Sequence, residues 1–144
     1  MMGYGRQWIK SLVASLHIRR GDYITNPNHP LLGLDYYSAA LSFIPDRYVL
    51  IFTDDVEWVQ SPTSPFKKIE EKYPGDKFII SETNSPYTDM ALMAKCQYHI
   101  IANSSFSWWG AYLAQSQQVV APREWFGDTT KDTTDLYCKG WKVL

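Results

Sequence analysis

Leu12-Val13-Ala14-Ser15-Leu16-His17-Ile18-Arg19-Arg20-Gly21-Asp22-Tyr23 runs from an apolar segment straight into two arginines, a glycine and an aspartate. The apolar run, Leu12–Ile18, reads as a strand, and the charged residues behind it have the parts of an anion receptor. The strand gives a rigid base, Gly21 lets backbone approach a ligand, and each guanidinium offers a planar fork to phosphate oxygens. Asp22 can orient one guanidinium while the other faces the ligand. The same residues also suit a surface turn closed by an Arg–Asp salt bridge, and the heptapeptide alone does not separate the two.

Outward from this strand, short apolar runs alternate with helical patterns. Further strands are expected at Tyr48–Thr53, Lys77–Ile80, Tyr98–Ala102 and Gln118–Ala121. Helices are expected at Asp35–Ile44, Asp54–Val59 with Pro65–Lys72, Ser85–Lys95 and Ser105–Gln115. That alternation is the pattern of βαβ units in a doubly wound parallel sheet, a Rossmann-like α/β fold. Pro27, Pro30 and Gly33 mark a loop after the first strand, and Pro62 and Pro65 split the second helical region. The tail, residues 123–144, reads as irregular or short-helical and is expected to pack back on the sheet.

The chain has 144 residues, enough to bury one core without disulfides or metal. Its net charge of −1 and scattered charges lack the basic footprint of nucleic-acid binding. Aromatic residues make up 15%, which suits either a large core or carbohydrate-stacking surfaces. Cys96 and Cys138 have neither metal-ligand spacing nor a disulfide framework. No stretch approaches ~20 consecutive apolar residues, so no membrane span is expected. The first residues, Met1–Trp8, lack the apolar core of a signal peptide. A cytoplasmic setting is therefore the expectation.

In doubly wound sheets ligands sit beyond the C-terminal strand ends. Arg19 and Arg20 follow the first strand and Asp54-Asp55 the second. Glu82, Asn84 and Asp89 follow the third, and Asn103-Ser104-Ser105 the fourth. The serines stand where a helix starts. There they can cap it, and its free N–H groups and positive dipole end can also hold phosphate. Asp89 complements the dipole of its own helix, and its carboxylate also matches the N1–H and N2 amine of guanine. Asp54-Asp55 is read as capping a helix start, in preference to a metal-binding pair. Trp108 and Trp109, adjacent on a helix, cannot both enter one core.

The ordered set of motifs resembles glycosyltransferase family 11, the α-1,2-fucosyltransferases. It comprises His17–Tyr23, Leu32–Tyr37, Ile51–Asp55, Asp89-Met90, Ser104–Ala111, Ala121–Phe126 and Asp135-Leu136-Tyr137. The resemblance runs from about Ser11 to the C-terminus. It implies the C-terminal half of a GT-B enzyme that transfers L-fucose from GDP-fucose to the 2-hydroxyl of a galactoside, inverting the anomeric centre without a metal or other cofactor. Carried over by position, Arg19, Arg20 and Asp22 are catalytic. His17, Arg19, Arg20, Asp89, Ser104, Ser105 and Phe106 bind the donor. The implied partners are GDP-fucose and a galactose-terminated glycan; self-association, a separate N-terminal domain and peripheral membrane contact are left open. Family members are longer, and residues 1–10 are read as a non-family start ahead of a donor-binding domain at 11–122. The alternatives are a truncated domain that binds GDP or GDP-fucose without turnover, and a carbohydrate-interaction module using Trp108, Trp109, Trp125 and Trp141.

Overall fold

The computed structural model describes residues 13–45, 47–116, 118–128 and 130–144. The expected start of the first strand at Leu12, and residues 1–10, lie outside them. Six parallel strands form one sheet: β1 (Val13–Ile18), β2 (Tyr48–Thr53), β3 (Phe78–Ile80), β4 (Tyr98–Ile100), β5 (Val119–Ala121) and β6 (Lys142–Val143). Their order is β3-β2-β1-β4-β5-β6, so the chain builds outward from β1 in one direction, then crosses back to build in the other. The helices are α1 (Leu34–Leu41), α2 (Val56–Gln60), α3 (Lys67–Glu70), α4 (Pro86–Ala94) and α5 (Ser105–Leu113). This is the doubly wound, Rossmann-like arrangement that the alternation of patterns predicts.

Every residue of β1 is buried, because helices cover both faces of the sheet. Ala14, Leu16 and Ile18 point into one core with Val49 and Ile51 of β2, Tyr37, Ala40 and Leu41 of α1, and Val59, Phe66 and Ile69 around α2 and α3. Val13, Leu50 and Phe52 point the other way, onto Met93 and Cys96 from α4 and its C-terminal end. Period-two alternation along β1 and β2 thus feeds two cores at once. The central pairing is long, with Val13 through Ile18 opposite Tyr48 through Thr53.

The helices are shorter than their sequence patterns. Residues 42–44 leave α1 as turns, α3 gives way after Glu70 to turns in which Lys72 and Tyr73 N–H donate to Ile69 and Glu70 O, and Gln115 closes α5 with φ 53°. The tail differs most from its reading. Residues 142–143 form β6 beside β5, with Arg123 N–H donating to Leu144 O and Leu144 N–H to Ala121 O. Trp125 is buried against Ile101, Ala111, Val119 and Ala121, and Trp108, Tyr137 and Trp141 pack around that cluster. A stacking surface built from all four tryptophans is therefore not available; Trp109 is the exposed one. Among the described residues no helix is long and apolar enough to cross a membrane.

Candidate functional site

The topological switch falls between β1 and β4, where successive chain connections leave in opposite directions. A cavity of about 300 Å³ opens there. His17 and Arg19 line it from the end of β1, Phe52, Thr53 and Asp54 from the end of β2. Asp89 enters from the first turn of α4, and Ser104 and Phe106 from the start of α5. Five residues chosen from sequence (His17, Arg19, Asp89, Ser104 and Phe106) are thus brought to one cavity. Arg20, Asp22 and Ser105 stand outside its wall.

Local structure explains the acidic step after β2. Thr53 Oγ accepts from Asp55 N–H at 3.0 Å, and Asp55 Oδ1 accepts from Trp58 N–H at 3.1 Å, capping α2. Asp54 is left free to turn back across the strand ends. Its Oδ1 accepts from Arg20 N–H at 2.8 Å, and its Oδ2 accepts from Arg19 Nη1. The capping role read for the acidic pair therefore belongs to Asp55 alone, and Asp54 is an arginine clamp. Gly21 makes the clamp possible, since a Cβ there would lie 2.3 Å from Asp54 Oδ2.

The two arginines part company. Arg19 Nη2 also donates to Asp22 at 2.7 Å, and its Cζ lies 4.8 Å from the centre of the Tyr23 ring. Burial works against the Arg19 charge, yet Asp54, Tyr23 and Asp22 raise its pKa above the ordinary value. Arg20 instead lies over Trp58, 4.2 Å from the ring centre, and donates from Nε to Asp55 at 3.2 Å. Arg19 faces the cavity, and Arg20 ties the β1 end to α2.

His17 forms the cavity floor. It is buried, its ring sits 5.7 Å from Phe106, and among the described residues nothing bonds its Nδ1. Burial, partly offset by Asp54 and reinforced by Arg19, lowers its pKa to about 4, so the ring is neutral near pH 7. Buried polar atoms are usually hydrogen-bonded, so this nitrogen is an exception beside the cavity.

Asp89 is held from behind. Ser81 Oγ and Thr83 Oγ both donate to Oδ1 at 2.7 Å. Ser81 and Thr83 carried no sequence signal, since a hydroxyl in a loop is common; the loop places them, with Asn84 at φ 56°. Ser104 caps α5, accepting from Phe106 N–H at 3.2 Å, and the remaining first-turn N–H groups lack partners within the helix. Asn103 fastens this corner, donating to Pro30 O and Trp125 O while its own carbonyl accepts from Tyr23 Oη. Its part as a hub joining loop, strand end and tail is invisible in sequence, because all three partners are distant in the chain.

A doubly wound domain thus gathers a guanidinium, two carboxylates, a buried histidine and a helix N-terminus at its switch point, where ligands bind in folds of this kind. The model of the family described as Glycosyl transferase family 11 matches residues 7–144. The chain belongs to that family. It is 40% identical over 129 residues to the Escherichia coli O-antigen biosynthesis glycosyltransferase WbnK, covering 81% of this chain and 40% of the relative. Identity to an Escherichia coli alpha-1,2-colitosyltransferase is 39% over 137 residues, 88% of this chain and 46% of the relative. A more distant relative is the Bos taurus galactoside 2-alpha-L-fucosyltransferase SEC1, 29% identical over 118 residues, 76% of this chain and 30% of that protein. The chain thus spans less than half the length of these curated relatives. No solved structure matches it.

Proposed function

We propose that this chain supplies the donor-binding half of an inverting galactoside α-1,2-fucosyltransferase of GT-B architecture, with GDP-fucose as donor and a galactose-terminated glycan as acceptor. The observation that carries the reading is the convergence of Arg19, His17, Asp89 and the start of α5 on one cavity at the switch point. Arg19 and the α5 N-terminus hold the diphosphate, and Asp89, braced by Ser81 and Thr83, accepts from the guanine edge. Phe106 offers its ring beside His17 for the ribose. Negative charge builds on the departing phosphate oxygen as the glycosidic bond breaks, so charges fixed at that place stabilise the transition state more than the ground state. Asp54 and Asp55 are both engaged with arginines, which supports donor binding without a divalent cation.

Membership of one family with galactoside fucosyltransferases supports fucose as the sugar transferred. A second reading, colitose in its place, draws on the 39% identity to a colitosyltransferase. Titration with the two donor sugars side by side separates them.

The test is binding of GDP by variants. Arg19→Ala is expected to lower GDP affinity by about 10²-fold, the scale of losing a charge-assisted phosphate contact. Asp89→Ala should weaken GDP far more than ADP. Unchanged GDP affinity in Arg19→Ala would remove the phosphate assignment, and equal losses for both nucleotides in Asp89→Ala would remove the guanine role.

A further inference from the structure

We propose that Asp22 is an exchangeable counter-ion, released from Arg19 when a diphosphate enters; the inference rests on the donor reading above. Both terminal nitrogens of Arg19 are committed to carboxylates, Nη1 to Asp54 and Nη2 to Asp22. One positive charge is therefore flanked by two negative ones. A nucleoside diphosphate can reach the N–H donors these contacts leave over, but it brings its negative charge beside both carboxylates, and that repulsion favours release of the more weakly held one.

The two carboxylates are held very differently. The Asp54 side chain is 27% exposed, lines the cavity, and uses its second oxygen on Arg20 N–H. Moving it would give up its contacts to both Arg19 and the Arg20 backbone. The Asp22 side chain is 66% exposed, and Arg19 is its sole side-chain partner among the described residues. It sits in a single 3-10 turn, Gly21–Ile24, that has no side-chain cap and no buried residue. An exposed ion pair between neighbouring residues contributes little and is readily exchanged, whereas a phosphate in the cavity gains a less screened partner.

Asp54 is thus the fixed orienter of Arg19, and Asp22, outside the cavity wall, balances the guanidinium from its Nη2 side until the donor arrives. The arrangement keeps Arg19 aimed in the empty site and makes Asp22 a competitor of the donor. The two carboxylates then have opposite effects on donor affinity, which a purely structural role for both would not give.

The experiment is calorimetric titration of the whole chain and of Asp22→Asn and Asp54→Asn with GDP, with inorganic pyrophosphate as a second probe that lacks the base. Asp22→Asn is expected to tighten both probes by about two- to fivefold, the scale of one removed surface charge contact. Asp54→Asn is expected to weaken them. Circular dichroism checks that each variant is folded, and the exposed Asp22 variant decides the question even where Asp54→Asn does not fold. GDP affinity that falls or stays constant in Asp22→Asn, with the wild type binding, overturns the exchange and leaves the donor reading standing. A wild type that binds neither probe overturns that reading and the exchange with it.

Discussion

His17 combines two properties that pull against each other in a folded protein. Its ring is buried, which suppresses protonation, and its Nδ1 has no partner among the described residues. With a folded-state pKa of about 4 against an ordinary 6.5, the unfolded chain binds the extra proton first as pH falls. Stability is therefore full above about pH 6.5 and is lost as pH drops toward 4. The loss from this one group between pH 7 and pH 5 is on the order of 2 kcal/mol. His99, buried with its Nε2 on Met93 O and its pKa also lowered by burial, acts in the same direction. Chemical denaturation at the two pH values should show a smaller acid loss in His17→Gln than in the wild type. Parallel losses in both proteins would contradict the neutral, buried ring. At this scale the sequence pointed to Arg19 through the strand end it follows and to His17 through the family resemblance, and both line the cavity, while the Arg19–Asp22 pair that the sequence also allowed is present too. It misled about Asp54, since an acid at a helix start has an ordinary capping explanation, and only the return of the chain beside β1 shows that Asp55 takes that duty.

At the scale of elements, α4 and α5 approach more closely than side chains normally permit. Gly110 lies against Met93, and a Cβ there would stand 2.2 Å from Met93 Sδ and 2.7 Å from its Cγ. Met93 is fully buried, so it has no open space to retreat into. Gly110→Ala should cost about 1–3 kcal/mol of stability by overpacking, measured by denaturant unfolding. Trimming the neighbour in the pair Gly110→Ala with Met93→Val should restore part of it. An unchanged midpoint for Gly110→Ala would show that the two helices are free to separate. This packing also bears on the site, because Asp89 stands on α4 and Ser104 and Phe106 stand on α5. Strands β1 to β5 were legible as apolar runs, their ends good to a residue or two. Strand β6 was not: two residues carry no periodicity, and Lys142–Val143 become a strand only because residues 123–144 return to the open edge of β5.

For the whole molecule, the order β3-β2-β1-β4-β5-β6 decides where chemistry can happen. The crossing from β3 to β4 opens the crevice beside β1, and four separate segments deliver polar groups to it. The fold class was readable because alternation of strand and helix is a property of the chain. The cavity was readable only as a set of strand ends, since the order of strands decides which ends become neighbours. Family membership fits this geometry, and the relatives extend well beyond the region they share with this chain. The proposed donor role requires the described domain to hold a guanosine diphosphate sugar by itself, and the direct measurement is calorimetric titration with GDP, GDP-fucose and UDP without added metal. Saturable binding of both guanosine nucleotides is expected, with at least tenfold weaker binding of UDP, a difference of about 1.4 kcal/mol. Equal affinity for GDP and UDP, or no binding by a folded chain, would contradict it.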